Sequence, residues 1–494
     1  MAKPKSIKTP HILVKDQNAS LVSHFFGREE ELAKFADLDS VAGGKILVVY
    51  GRRRVGKTTL IKKAFANRRL LVFEGLEGQD EAEQLQHFAE QLAEHFNDQK
   101  LSRIKLNNWR EAFKLLWEFI SNGIWTVHLE ELQWMANYRN ELVSDLKYIW
   151  DNYWQKNSQL TAVLCGSAPS FLIESVMRSK ALHNRSQWEF PIGELPFSQA
   201  SKLMGDRRAP TELLDGYLAV GGIPEYAKLL STESSIYLSL ARHSFSKGGF
   251  FVHEAERVFI SNLAKKPQYR AIIETLAKDG ASTQAELLKK IHYPSGGGAA
   301  ELFEDLTLCE FIYSYSPLGF GERTRENKWM IRDSCLQLYF RLIKPKLAAI
   351  QRGEYSKSPS KALSHMEYRK WLGLSFERFC LFNHRAIAGV LGFSGVEYRV
   401  GPFYRRGAQT SMQLDLVFQR KDKVITVCEI KYLTEAPGKE VVSPFEKSLA
   451  LLTKLKSSSI QKVLISPNGA TPSLEGEGYF DEIITLEHLR PRLN

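Results

Sequence analysis

Residues 51 to 58 read Gly-Arg-Arg-Arg-Val-Gly-Lys-Thr and lie between the apolar run ILVVY and the helix-forming stretch KTTLIKKAF. A strand that breaks into a glycine-bounded loop and then a helix is the setting in which G-x-x-x-x-G-K-[ST] cradles phosphate. Gly51 and Gly56 let the backbone curl so that the amides of Arg52, Arg53, Arg54 and Val55, with those of Lys57, Thr58 and Thr59, face phosphate oxygens. Lys57 is expected to reach the β and γ phosphates, and Thr58 to place its hydroxyl on Mg²⁺. The motif constrains the fold as well as the ligand, because it requires a parallel sheet wrapped by helices.

From Lys45 to Ile192, short apolar runs such as LLVF, IWTVHL and LTAVLC alternate with longer helical stretches, which is the pattern of such a sheet. Hydrolysis needs carboxylates near the metal, and IWTVHLEELQWM offers Glu130 as metal ligand and Glu131 as the base that orients water. Aspartate is usual at the first position. The glutamate here is one methylene longer, and two acids opening a helix are also ordinary helix starts.

The chain has 494 residues, too many for one hydrophobic core. It is 44% hydrophobic and 25% charged, which excludes disorder. No run approaches the roughly 18 uncharged apolar residues of a membrane helix, and the N-terminus MAKPKSIKTP lacks a signal-peptide core, so a cytoplasmic location without membrane partners is expected. Five scattered cysteines, none in a CxxC pair, read as core thiols. The net charge of +11 is compatible with a nucleic-acid partner and equally with phosphate ligands.

Composition and periodicity divide the chain into a basic leader (1–24), an α/β P-loop core (25–197), a helical lid (198–262) and a winged helix-turn-helix (263–345). A basic, serine-rich linker (346–363) and a mixed α/β unit (364–494) follow. The segment in the recognition-helix position carries Glu301, Glu304 and Asp305, which phosphates would repel, so it is expected to face protein. Lys344, Lys346, Arg352, Lys357 and Lys361 are the better candidates for a nucleic-acid backbone.

The ordered set FFGREEEL, VVYGRRRVGKTTLIKKAF, EELQW, LCGSAPSF, KALHNRSQWEF and AVGGIPEYAKLL resembles the archaeal-type ATPase family within the AAA-related and STAND P-loop proteins, over about residues 25–345. The resemblance implies ATP as the nucleotide, with Phe26, Gly27 and Arg28 packing on adenine and Ser167 sensing the γ-phosphate region. It further implies Arg185 as a phosphate-sensing arginine acting within the chain or across a homo-oligomer interface, and Pro224 as the lid contact to the nucleotide.

In the C-terminal part, Glu377 lies in the helical segment GLSFERFCLFN, Asp415 in QLDLVF, and Glu429 and Lys431 in VITVCEIKY. Strand alternation points Glu429 and Lys431 to one side. Acids on neighbouring strands can clamp Mg²⁺ while a lysine stabilises a hydroxide nucleophile; the same E-x-K can also be a solvated salt bridge. The set resembles the PD-(D/E)XK nuclease superfamily, and more narrowly the uncharacterised domain that often follows this ATPase module. Gln413 stands where relatives tend to carry an acid. The resemblance implies a restriction-endonuclease-like fold and DNA, more than RNA, as partner. Two functions remain open at this point: an ATPase controlling a nuclease, and a STAND-like switch that regulates assembly or nucleic-acid binding without cleavage.

Overall fold

The computed structural model describes residues 25–177, 186–205, 207–262, 266–318, 327–406, 411–450 and 458–493. The chain divides into two compact units, Met1–Gly193 and Glu194–Asn494.

The first unit is built on five strands, β1 (Lys45–Tyr50), β2 (Arg69–Glu74), β3 (Trp125–Glu130), β4 (Leu160–Gly166) and β5 (Ser186–Pro191), in the order β2-β3-β4-β1-β5. All four pairings are parallel. Parallel strands are covered on both faces, and accordingly β3 and β4 are buried along their whole length rather than alternating. Helices α1 (Glu29–Asp37), α2 (Lys57–Ala64), α3 (Glu81–Phe96) and α4 (Trp109–Ile120) belong to this unit. Asp80 starts α3 with a reciprocal capping box to Glu83, and Asn108 caps α4. Their apolar faces join the strands in a core containing Phe73, Phe88, Trp109, Phe113 and Trp154. An α/β core with a parallel sheet, as the sequence leads one to expect, is what the chain forms.

The register brings three strand ends level. Tyr50 pairs with Gly166 across β1 and β4, and Leu129 with Leu164 across β3 and β4. Ligands of open parallel sheets collect at these carboxyl ends, where the chain leaves for the next helix.

The second unit opens with helices α5 (Phe197–Met204), α6 (Pro210–Val220), α7 (Pro224–Leu229), α8 (Ile236–Phe245) and α9 (Phe250–Asn262). Three helices follow, α10 (Pro267–Asp279), α11 (Gln284–Lys290) and α12 (Gly297–Leu308), with a small sheet of β6 (Ser282–Thr283), β7 (Ile312–Tyr315) and β8 (Lys328–Ile331) in the order β6-β8-β7. On α12, Asp305 is buried and accepts from the Tyr269 hydroxyl of α10, so this acid is turned to the protein, whereas Glu301, paired with Lys266 at 2.6 Å, and Glu304 are exposed.

Residues 346–363 include the helix Leu347–Gln351 and the short 3-10 turn Pro359–Ala362, with Ile350, Ala362 and Leu363 buried. Lys344 pairs with Glu274, Lys346 with Glu367 and Arg352 with Glu354. Three of the five basic side chains expected to meet a nucleic acid are therefore engaged within the chain.

The last part carries α13 (His365–Phe382) and a second sheet of β9 (Tyr398–Arg406), β10 (Ser411–Arg420), β11 (Val424–Ile430), β12 (Ser459–Ile465) and β13 (Glu482–Ile484), in the order β13-β12-β11-β10-β9. β9, β10 and β11 are antiparallel neighbours, and β11, β12 and β13 run parallel. Among the described residues no helix is long and apolar enough to cross a membrane.

Candidate functional site

The loop after β1 has the backbone its motif demands. Gly51 has φ 155° and Gly56 φ 92°, and a Cβ on Gly51 would lie 2.0 Å from the Ile192 carbonyl oxygen. Arg54 also takes a left-handed φ of 71°. Arg52 and Val55 are buried, Arg53 is partly so, and Thr59 is exposed. Lys57 is buried, its ammonium donating to the carbonyls of Gly51 (3.0 Å) and Arg52 (3.2 Å). Arg28, itself at φ 65°, reaches the loop as well: it pairs with Glu31 at 2.8 Å and donates to the carbonyls of Val55 (3.0 Å) and Gly193 (2.6 Å). Arg28 thus braces the phosphate loop, while Phe26 is 46% exposed and Gly27 turns the chain at φ 77°.

The end of β3 supplies the carboxylates. Thr58 donates its hydroxyl to Glu130 Oε2 at 2.8 Å, so the two groups the sequence assigns to a metal converge. The same Glu130 oxygen lies 3.1 Å from His128 Nε2, and Cys165 Sγ is 3.7 Å from Glu130 Oε1. Burial would raise the Glu130 pKa, but His128, Lys57 and the Thr58 hydroxyl outweigh it and hold the carboxyl down at about 2. Glu131 takes a left-handed φ of 51°. Its Oε2 accepts from the Ser167 backbone (3.0 Å), the Ser167 hydroxyl (2.7 Å) and Gln133 Nε2 (2.6 Å). Burial and the neighbouring Glu130 and Glu131 raise the pKa of Glu74, which pairs with Glu130 across β2 and β3. The end of the sheet thus gathers three carboxylates near Lys57 and Lys62, and an oxygen-seeking cation fits Thr58 and Glu130.

Sequence reasoning passed over His128, Cys165 and Gln133. Alternation along β3 already places His128 on the Glu130 side. Gln133 sits at a fixed offset from Glu131 but needs the short helix Leu132–Met135 to turn back toward it. Of the remaining expected residues, Arg185 lies outside the described residues, and Pro224 opens α7 in the second unit.

In the second unit, Lys431 Nζ meets Glu429 Oε1 at 2.5 Å, and Asp415 Oδ2 accepts from the Ile430 backbone at 3.3 Å. Burial, then Glu377 and Glu429, push the Asp415 pKa up to about 7; burial also raises that of Glu377. A buried carboxyl whose pKa neighbouring acids raise is one that a cation would relieve. Among the described residues, however, Glu377, Asp415 and Glu429 do not bring three ligand atoms within 4.8 Å of one another. Beside this pocket, Tyr432 donates its hydroxyl to Asp215 of α6, and Arg369 of α13 pairs with both Asp215 oxygens at 3.3 Å.

Residues 25–230 match the family model of an ATPase domain predominantly from Archaea. An uncharacterized protein of Methanocaldococcus jannaschii is 24% identical over 355 residues, covering 72% of this chain and 76% of its own. Among solved structures, the chain is similar to the Walker-type ATPase of Pyrococcus abyssi at 18% identity, covering 65% of this chain and 97% of that one with a TM-score of 0.49. It is also similar to the ORC2 protein of Aeropyrum pernix in its ADPNP–ADP complexes, at 12% identity over 67% and 99% of the two chains, TM-score 0.41.

Proposed function

We propose that this protein, whose residues 25–230 form an ATPase-type P-loop module, binds and slowly hydrolyses ATP with Mg²⁺ and thereby controls a metal-dependent DNA nuclease site in its C-terminal domain. The observation that carries the first half is the convergence at three level strand ends: Lys57 after β1, Thr58 on Glu130 of β3, and Glu131 on Ser167 after β4.

In this reading the loop amides and Lys57 hold the triphosphate, Lys57 exchanging two backbone carbonyls for phosphate oxygens. Thr58 and Glu130 would hold Mg²⁺, and in the second unit Asp415, Glu429 and Glu377 would hold the second metal; such ions neutralise charge that builds on phosphate oxygens. Glu131, fixed through one oxygen, orients the attacking water with the other. Ser167 reports the γ-phosphate to Glu131 through its hydroxyl. Phe26, Gly27 and Arg28 set the adenine edge of the site, with Pro224 as lid contact and Arg185 as the arginine that senses phosphate in this chain or in a second copy. In the nuclease half, Lys431 stabilises the hydroxide and the charge developing at the scissile phosphate, with residues 263–345 as a winged helix and 364–494 as the nuclease-like fold.

A second reading, a nucleotide switch whose C-terminal domain binds nucleic acid without cutting it, is favoured by the Lys431–Glu429 ion pair and by carboxylates that do not close into one ligand set. ATP turnover and plasmid nicking, measured together with Mg²⁺ on wild type, Lys57→Ala and Asp415→Ala, separate the two. The nuclease reading expects Lys57→Ala to lose both activities and Asp415→Ala to lose nicking alone. Absence of nicking by the wild type under every nucleotide condition rejects it in favour of the switch. Absence of any Mg²⁺-dependent ATP uptake rejects both.

A further inference from the structure

Beneath the phosphate loop, His128, Glu130 and Cys165 present one nitrogen, one carboxylate oxygen and one sulfur, all within 4.8 Å of one another. The trio is deeply buried: His128 and Cys165 are 0% exposed and Glu130 7%. Among the described residues His128 Nδ1 has no hydrogen-bond partner, and its Nε2 meets the Glu130 carboxylate at 3.1 Å as an ion pair without hydrogen-bond geometry. A buried imidazole with an unsatisfied Nδ1 is costly, by roughly 1–3 kcal/mol for a lost bond, unless something else meets it. Ligand atoms bonded to one tetrahedral ion at about 2.0–2.3 Å sit about 3.3–3.7 Å apart. His128 Nε2 lies 3.1 Å from Glu130 Oε2 and Cys165 Sγ 3.7 Å from Glu130 Oε1, so the imidazole and the thiol flank the two oxygens of one carboxylate, and a small shift of that carboxylate would bring one oxygen to both.

We propose that His128, Glu130 and Cys165 form a binding site for a borderline-soft divalent transition metal of the Zn²⁺ class, distinct from the hard Mg²⁺ that accompanies a triphosphate. A thiolate and an imidazole select such ions and contribute nothing to Mg²⁺. On binding, the Cys165 thiol proton leaves to solvent, and thiolate and carboxylate together balance the charge of the ion. The three side chains leave one tetrahedral position for a further ligand. Glu130 is also the partner of Thr58 Oγ1, so an ion seated here draws the carboxylate away from that hydroxyl and slows ATP turnover. This inhibitory consequence rests on the ATPase reading; the binding site itself does not.

The test is Co²⁺ titration of the full-length, nucleotide-free protein. The expected result is one equivalent bound with intense visible bands of a tetrahedral ion and a thiolate-to-cobalt charge-transfer band. Cys165→Ser is expected to lose the charge-transfer band and to bind about 100-fold more weakly, at the upper end of what loss of even an outer-sphere partner costs. Lys57→Ala keeps the bands, so a failed ATPase reading leaves this result intact. No charge-transfer band in the wild type, or one that survives in Cys165→Ser, overturns the proposal. Should that variant fold poorly, X-ray absorption of the zinc-loaded wild type decides: a single sulfur at about 2.3 Å among lighter ligands supports the site, and a shell without sulfur overturns it.

Discussion

Ser167 donates twice to a single oxygen of Glu131, through its backbone N–H at 3.0 Å and its hydroxyl at 2.7 Å. One of these bonds is insensitive to the side chain and the other is not. Ser167→Ala should therefore leave Glu131 in place but looser. If Glu131 orients water, kcat falls roughly tenfold, a fraction of the 10²–10⁴ that a well-placed base supplies, while ATP affinity stays within about threefold. Steady-state turnover and fluorescent-nucleotide binding measure the two. An unchanged kcat removes Ser167 from the catalytic account.

Gly51→Ala asks whether the loop tolerates a single added carbon. The new Cβ would meet the backbone carbonyl of Ile192, which cannot rotate away, and φ of 155° is itself unfavourable for alanine. Strain of at least about 2 kcal/mol is expected, seen as a lower Tm of the first unit together with loss of ATP uptake. Wild-type uptake would show that the loop has another conformation available.

Asp415 gives a pH-dependent prediction with a definite sign. Its folded pKa, about 7, is raised above its ordinary value near 3.8. The native state therefore gains from its protonation below about pH 4 and loses that gain as pH rises toward and through 7. Asp415→Asn, which cannot ionise, should flatten this decline and exceed wild type at pH 8 by about 1 kcal/mol or more in urea unfolding. Mg²⁺ should narrow the gap by stabilising only the wild type. Parallel pH profiles for the two proteins would contradict the burial of a repelled carboxylate.

Tyr432 follows Lys431 directly, and its hydroxyl is held by Asp215 of α6. Tyr432→Phe removes that bond and leaves the Asp215–Arg369 pair, so stability should fall by only about 1 kcal/mol. If helix α6 steadies the lysine, DNA nicking falls while ATP turnover does not. Equal loss of both activities, or of neither, assigns the contact to folding alone.

The core was legible because it is local: a motif of eight residues, apolar strands of six or seven and acids at a strand end all sit within short windows of sequence. Glu130 and Thr58, 72 residues apart, meet in one hydrogen bond, and the sequence suggests the meeting because Glu130 closes one apolar strand and Thr58 follows the loop after another. Cys165 and Asp215 carry no such tag. Cys165 meets Glu130 through the lateral order of strands, which no spacing of cysteines reveals, and Asp215 and Tyr432 are 217 residues apart. Residues 346–363 differ from the core in another way. Their serine and lysine content suits a tether, and most of the stretch is exposed or half-buried, but Ile350, Ala362 and Leu363 are buried and Lys346 and Arg352 pair with Glu367 and Glu354.

Strand β4 lies between β1 and β3, and Cys165 at its end and Ser167 just after it stand two residues apart. One of them touches Glu130 and the other Glu131. A single rib of backbone therefore spans both acids, with two peptide units between the sulfur and the hydroxyl. Crosstalk between whatever occupies the buried trio and the water-orienting glutamate would need no hinge, no sliding helix and no second subunit.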